Sequence, residues 1–228
     1  MRKILLSSAI VMALSSASFA GYAAESATLA VTGTITPASC NVNLSSTSID
    51  FGTISASTLT NDVNQVAANP VTVSVACDAA TAVAVQTVDN RASSAMTSAE
   101  VSSDFGVDLS AAPNSLFGLG TDSANSKIGI LLLGIDGASL NGTTNNNVLT
   151  STDKSTWEAH TVSPTTAAPL VNNGYFALGE TADSTAPASV TNATYSLAGG
   201  VVLKKSDKYP SGEQVTLDGN ITFSVVYL

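Results

Sequence analysis

The sequence predicts an all-β protein, a β-sandwich made of many short strands. Apolar and polar residues alternate with a period of two in several segments, and Gly, Pro, Asn and Asp separate these segments. No stretch of ten or more residues after the N-terminal segment has a helical period. Only 11% of the residues are charged, whereas about 25% is usual, and Ser, Thr, Ala and Val dominate. This composition suits strands whose exposed faces carry hydroxyl groups.

Residues 1–20 are predicted to be a secretory signal peptide. Arg2 and Lys3 precede an apolar run, and Ser18 and Ala20 supply the small side chains that a cleavage site after Ala20 requires. Cleavage after Ala23 is the alternative. The apolar run is shorter than the roughly 20 residues that span a bilayer, and no later segment is long and apolar enough. We therefore expect an exported protein without a transmembrane segment.

The chain carries a net charge of −9, and removal of the signal peptide leaves 6 basic residues against 17 acidic ones, or −11. So acidic a chain does not bind nucleic acid through the phosphate backbone. The charge favours solubility and does not identify a partner.

Two cysteines remain, Cys40 and Cys77. An even number of cysteines in an exported chain predicts one disulfide, and free buried thiols are the alternative. Closure of this loop is worth about 4 kcal/mol of stability. A metal site is disfavoured because two thiols without nearby histidines cannot complete a tetrahedral shell.

The first half of the chain contains five alternating segments, and Pro37 separates the first from the second. The last two are predicted to form a hairpin across Asp78 to Thr81. The predicted strands cover residues 27–35, 40–44, 49–54, 71–77 and 82–88.

The second half contains two long loops and five further strands. The first loop, 89–115, is weakly patterned and is expected to hold one helical turn. The second loop, 136–169, is rich in turn residues, and Trp157 is expected to anchor it against the body of the protein. The predicted strands cover residues 116–119, 127–134, 170–178, 193–203 and 215–227.

Motifs for catalysis or cofactor binding are not found. The chain has one histidine, His160, in a turn-rich stretch, and we interpret it as a surface residue. No nucleophile elbow, phosphate loop, dinucleotide fingerprint or EF-hand loop is present. We therefore predict that the protein is not an enzyme and has no cofactor and no metal site.

Several short motifs follow one another along the chain: Gly33-Thr-Ile, then Cys40 and Val42, the second cysteine at Cys77, and a C-terminal alternating strand with the penultimate Tyr227. Together, and in this order, they resemble the pilin subunits of chaperone–usher fimbriae. Segments 31–40 and 217–228 are similar to the two ends of a subgroup of fimbria-like periplasmic proteins that form a domain family of unknown function. Asp50-Phe-Gly-Thr-Ile and Phe117-Gly-Leu-Gly also resemble internal strands of that subgroup.

The resemblance implies an immunoglobulin-like sandwich that lacks its last strand and is completed by a donor strand from another chain. Cys40 and Cys77 match the family disulfide. The strand that borders the open groove and pairs with the chaperone corresponds to Ile221, Phe223, Val225 and Tyr227. The possible donor strand contains Ala27, Leu29 and Val31.

The resulting domain prediction has three parts: a signal peptide at 1–20, an N-terminal extension at 21–30, and one β-sandwich domain at 31–228 with its long loops at 89–115 and 136–169. The implied partners are a periplasmic fimbrial chaperone, an outer-membrane usher and neighbouring subunits. The implied function is that of a structural fimbrial or fimbria-like subunit in the periplasm or in a surface fimbrium, contributing to cell adhesion. The alternative is a self-contained periplasmic β-sandwich that binds a ligand or surface partner without polymerising.

Overall fold

The computed structural model describes residues 27–106 and 113–228. The predicted signal peptide and residues 21–26 of the predicted extension lie outside the described residues. The chain divides into two units, Met1–Thr36 and Pro37–Leu228. In the first unit, residues 27–36 form no helix or strand, so the strand predicted at 27–35 is wrong. A two-residue period selects one face of an extended chain, but a strand also needs a neighbour for its backbone hydrogen bonds.

The described part of residues 37–228 consists mostly of β-strands, which confirms the predicted all-β class. Every strand pairing is antiparallel. The described strands are β1 (Cys40–Leu44), β2 (Asn64–Ala67), β3 (Val71–Asp89), β4 (Gly129–Leu140), β5 (Thr143–Thr144), β6 (Asn147–Ser151), β7 (Glu158–Thr161), β8 (Ala168–Pro169), β9 (Tyr175–Leu178), β10 (Ser189–Leu203) and β11 (Ile221–Tyr227). The main strand order is β5-β4-β10-β3-β9-β6-β7, with β1 and β11 on β3, β2 on β10 and β8 on β4. The immunoglobulin-like arrangement stays a prediction.

Strand β3 runs unbroken through 19 residues, so the hairpin predicted across Asp78 to Thr81 is wrong. Its first part pairs with β1 and β10, Thr81 and Ala82 pair again with β10, and its last part pairs with β11 and β9. The exposed segment at 78–80 lies beside the register shift between Val190 and Asn192 of β10. The break in apolar alternation therefore marks an irregularity in the pairing with β10 and not a reversal of the chain.

The main core is formed by buried side chains of β3 and of the strands around it. Val73, Val75 and Val85 of this strand are fully buried. Phe176 of β9 contacts Tyr195 of β10 edge-on, with ring centroids 4.8 Å apart. Burial of such apolar surface is the main stabilising contribution to the fold.

A helix, α1 (Ser98–Phe105), lies in the first predicted loop, where one helical turn was expected. Thr97 and Glu100 form a capping box at its start, and Gly106 ends it with φ 65°. Val101 and Phe105 are buried in a second, smaller core cluster. Its other members are Met96, Leu116, Ile130 and Val202. Two apolar residues four positions apart are too few to reveal a helical period, which explains why only one turn was predicted.

The second predicted loop, 136–169, contains regular structure, which corrects the prediction. The end of β4 and the strands β5 to β8 all lie in it. The turn residues there separate short strands, as at Asn141 and Gly142, which both have positive φ. Trp157 is half-buried just before β7.

Candidate functional site: an apolar groove beside the C-terminal strand

An open groove runs between two extended segments of the second unit. The first wall is the segment 46–54 and the second wall is the segment 213–223. Within the described residues, the first wall belongs to no strand, and the second wall becomes strand only at Ile221. The groove has a larger chamber of about 790 Å³ and a smaller one of about 270 Å³, and both are lined by Ile49, Phe51 and Leu217.

Alternate residues of the second wall face into the groove. Val215, Leu217, Ile221 and Phe223 are half-buried and pack against the main core. Gly219 continues this face, since a Cβ atom there would lie 3.4 Å from the side chains of Leu119 and Leu131 in the floor. The residues between them are exposed: Thr216, Asp218, Asn220 and Thr222.

The first wall and the floor complete an apolar surface. Ile49, Phe51 and Ile54 are half-buried and pack against the same core. Sequence reasoning placed these residues in a strand and did not assign them to the groove. The spacing of these apolar residues was the only sequence feature that could have indicated this wall. The same spacing occurs in a paired strand and in an unpaired extended segment, so it does not distinguish the two. The floor residues are Val71, Leu119, Leu131, Leu133 and Leu197.

The second wall is held from outside the groove. Arg91 forms two hydrogen bonds to Asp218, at 2.8 and 3.0 Å, and the Asp218 amide donates to the Leu119 carbonyl at 2.9 Å. Tyr209 lines the larger chamber, and its hydroxyl donates to the Ile128 carbonyl at 2.8 Å. Burial raises the pKa of Tyr209 to about 12. The part of the second wall that precedes Ile221 is thus anchored through Asp218, although it belongs to no strand.

Strand β11 continues the second wall and forms one edge of the sheet. It pairs with β3 from Ile221 opposite Asp89 to Tyr227 opposite Val83. No described strand pairs with its other edge. An unpaired strand edge beside an apolar groove is able to accept a further strand.

The residues predicted to border the groove lie partly in it and partly at the disulfide. Ile221 and Phe223 line the smaller chamber, and Val225 packs against the core without lining either chamber. Tyr227 instead lies at the disulfide. Its hydroxyl accepts a 2.7 Å hydrogen bond from the Cys40 amide.

Cys40 and Cys77 form a disulfide, which confirms the prediction from the cysteine count. The two residues are directly opposite each other in the register of β1 and β3. Ser39 reinforces this junction, because its amide donates to the Asp78 carboxylate at 2.8 Å. The disulfide therefore holds the beginning of β1 near the end of β11.

The residues of the predicted donor strand are solvent-exposed. Leu29 and Val31 expose 91% and 90% of their surface, and Ala27 is also exposed. Ile35, which continues the same alternation, is fully exposed. Apolar side chains thus occupy every second position of this exposed segment.

The mouth of the larger chamber carries charge of one sign. Asp50, Asp207 and Glu213 line this chamber, and no Lys or Arg does. All three are exposed. Asp50 accepts a hydrogen bond from the Gly52 amide at 2.8 Å, and Asp207 lies 3.7 Å from the Lys205 ammonium group.

The single histidine lies outside the lining of both chambers. His160 lies on β7, partly buried, with its Nε2 atom 2.8 Å from the Thr150 hydroxyl. In the described part of the chain, no group of three or more His, Cys, Asp or Glu residues could hold a metal ion. Over the same residues, no helix has the length and apolar character needed to cross a membrane.

Comparison with known proteins gives a family match and two distant relatives. Residues 29–131 match a family model described as a protein of unknown function, DUF1120. The chain is 29% identical to Protein GltF of Escherichia coli (strain K12), with 100% of this chain and 99% of that protein covered. It is 26% identical to the uncharacterized protein YhcF of the same strain, with 90% and 92% covered. The predicted similarity to a family of unknown function therefore holds over the matched residues.

Proposed function

We propose that this protein is a structural fimbrial or fimbria-like subunit, exported to the periplasm or the cell surface, that assembles by donor-strand complementation and contributes to cell adhesion. The observation that carries the proposal is the apolar groove between the two walls. Its two walls are extended segments, and its floor consists of leucine and valine side chains.

An added strand would make two kinds of contact in this groove. Its backbone would pair with the free edge of β11, and its alternate side chains would cover the half-buried Leu217 and Phe223. Strand addition of this kind takes affinity from main-chain hydrogen bonds and specificity from side-chain pockets. It also removes the aggregation risk of an open apolar edge.

The proposed partners come from the resemblance to the pilin subunits of chaperone–usher fimbriae. A periplasmic chaperone would occupy the groove first, and an outer-membrane usher would receive the complex. The extension of a neighbouring subunit would then replace the chaperone strand. Ala27, Leu29 and Val31 are the proposed donor residues, and their exposure supports a role as a segment that binds another chain.

The test uses the exported chain from Gly21, purified without a fimbrial chaperone, and follows assembly by size-exclusion chromatography and electron microscopy. The double variant Leu29→Asp/Val31→Asp should abolish assembly, because charges on the donor face cannot enter an apolar groove. The matched control Thr28→Asp/Ala30→Asp places the same charges on the opposite face and should retain assembly.

A second variant examines the acceptor side. Leu217→Asp should also abolish assembly, and mixing it with the donor variant should not restore long polymers. A cooperatively unfolding monomer, formed by the unmodified chain without any partner, would contradict the proposal. That result would favour a self-contained periplasmic binding protein.

A further inference from the structure

Two Asn-Gly pairs occur in the chain, Asn141-Gly142 and Asn173-Gly174. An asparagine followed by glycine readily loses its side-chain amide, because glycine has no Cβ atom to hinder attack by its backbone nitrogen. Both asparagines are exposed and both have positive φ, so the local sequence and backbone do not distinguish the two pairs. Their surroundings differ in two respects.

The first difference is the state of the glycine nitrogen. Gly174 is buried, and its amide donates to the Val171 carbonyl at 3.0 Å. A Cβ atom there would collide with the Val171 side chain, so this peptide is closely packed. Gly142 is exposed, its Cβ position faces open space, and its amide donates to no described group. The Gly142 nitrogen is therefore available as a nucleophile.

The second difference is the hydrogen bonding of the side-chain carbonyl. Three donors converge on the Oδ1 atom of Asn141: the Thr191 amide and the Thr191 hydroxyl, each at 2.9 Å, and the Asn192 amide at 3.0 Å. Backbone amides only donate, so the atom that they contact is the oxygen and not the nitrogen of the side-chain amide. The side chain of Asn173 has no hydrogen-bond partner among the described residues.

An irregularity in β10 supplies the three donors. The register of β10 on β3 shifts between Val190 and Asn192, and Thr191 has no partner on β3. The amide of Asn141 also donates to the Asn192 carbonyl, at 2.7 Å. The main chain and the side chain of Asn141 are thus both held against this part of β10. Its donors are fixed around one oxygen atom before any reaction begins.

We propose that Asn141 is a site of self-modification, at which the chain loses a side-chain amide without the help of an enzyme. The Gly142 nitrogen gives its proton to hydroxide or water and attacks the Cγ atom of Asn141. A new C–N bond forms, the bond from Cγ to Nδ2 breaks, and Nδ2 takes up a proton and leaves as ammonia. Water then opens the cyclic imide and leaves aspartate or isoaspartate at position 141.

The hydrogen bonds to Oδ1 assist the attack. When the Gly142 nitrogen adds to Cγ, negative charge develops on the oxygen that already accepts three hydrogen bonds. Preorganised donors stabilise such an oxyanion more than they stabilise the neutral amide. The inference is independent of the proposed function, because neither Asn141 nor Thr191 lines either chamber of the groove.

The two products have different effects on the structure. Aspartate keeps an oxygen that accepts the same three hydrogen bonds, and it adds one negative charge. Isoaspartate inserts a methylene group into the backbone of the turn between β4 and β5. The short ladder of Leu140 with Thr143 and of Ser139 with Thr144 depends on that turn. The isoaspartate product should therefore release β5 from β4.

The experiment follows both sites in the folded, exported chain at neutral pH. Trypsin cleavage after Lys127, Lys154 and Lys204 places the two Asn-Gly pairs in separate peptides, 128–154 and 155–204, which are analysed by mass spectrometry at intervals. Short synthetic peptides that contain each pair give the rates without tertiary structure. Asn141 should react in the folded chain at least as fast as in its synthetic peptide. Asn173 should react about 10-fold more slowly than in its own peptide.

A pair of variants tests the donors on β10. Thr191→Val removes the hydroxyl and should slow the reaction at Asn141 by about 2- to 10-fold. Thr191→Ser keeps the hydroxyl and should retain the rate, which makes it the matched control. Equal rates in the two variants would overturn the role of these donors. Slower reaction of Asn141 in the folded chain than in its synthetic peptide, or equal rates at Asn141 and Asn173 in the folded chain, would overturn the whole inference.

Discussion

The Cys40 amide donates a hydrogen bond of 2.7 Å to the hydroxyl of Tyr227, a residue 187 positions away in the sequence. Cys40 is disulfide-bonded to Cys77 of β3, and Tyr227 ends the strand β11 that pairs with the same β3. One polar contact therefore links the disulfide to the strand that borders the groove. This link positions the free edge of β11 relative to β1.

Tyr227→Phe should weaken this link. The substitution removes one hydrogen bond with little change in side-chain volume. The free energy of unfolding should therefore fall by about 0.5–1 kcal/mol. This value lies in the lower part of the usual range for a hydrogen bond because the site is exposed. Urea denaturation measures the loss. An unchanged midpoint would show that water replaces the hydroxyl without cost.

Cys40→Ser/Cys77→Ser should destabilise the protein far more than the tyrosine variant. The disulfide closes a loop with a sequence separation of 37, and the loop-entropy relation gives about 4 kcal/mol. Folded yield in an oxidising compartment and urea denaturation both report the effect. A loss below about 1 kcal/mol would mean that the reduced unfolded chain is already constrained.

Glu100→Gln should change how stability depends on pH. The hydrogen bond from Lys127, followed by that from the Thr97 amide, lowers the pKa of Glu100 to about 2, whereas an unfolded Glu titrates near 4.3. Because the folded pKa is the lower one, the stabilisation is complete above about pH 5 and is lost as the pH falls towards about 2.

The expected difference between the wild type and Glu100→Gln is about 1 kcal/mol at neutral pH, a modest figure because the Glu100 side chain is 42% exposed. The difference should vanish near about pH 2. Denaturation curves across this range test the prediction. A constant difference at all pH values would assign the effect to packing and not to the charge.

Gly199→Ala should destabilise the central strand pair. A Cβ atom at this position of β10 would come within 2.1 Å of the Leu132 carbonyl oxygen on β4, so backbone has to move. The cost of such overpacking is about 1–3 kcal/mol. Gly137→Ala is the matched control on the same strand pair, since its Cβ would meet only Ser196 at 3.7 Å. Equal thermal shifts for the two variants would contradict the packing argument.

Phe176→Ala and Phe51→Ala should separate stability from binding. Phe176 is fully buried against Tyr195 and Phe223, so its truncation should cost about 3–5 kcal/mol. Phe51 is half-buried in the first wall and lines both chambers. Its truncation should cost less stability and should reduce assembly of the exported chain, measured by size-exclusion chromatography. The reverse order of the two stability losses would show that the first wall belongs to the core.

Local patterns predicted the strands where alternation coincided with tertiary pairing. Val71 to Cys77 and the run from Ile221 to Tyr227 alternate clearly, and both are strands in the structure. Alternation also occurs at 27–35 and 49–54, which are not strands. A period of two shows which side chains share a face of an extended segment. It does not show whether a neighbouring strand pairs with that segment through backbone hydrogen bonds.

The groove was predicted only through its second wall. The alternation at the C-terminal end predicted a strand there, and the resemblance to pilin subunits assigned Ile221 and Phe223 to the border of a groove. The first wall and the leucine floor come from segments distant in sequence, and only the pairing of β3 with both β1 and β11 brings them together.

By itself, the sequence determined the all-β class, the disulfide between Cys40 and Cys77, and the apolar face of the C-terminal strand. These depend on composition, on the number of cysteines and on local periodicity, which need no knowledge of neighbours. Tertiary structure alone decided that β3 continues through Asp78, that two walls face each other without pairing, and that Tyr227 meets Cys40. These depend on contacts between residues far apart in the chain, whose geometry is set by strand register and core packing and not by any local preference.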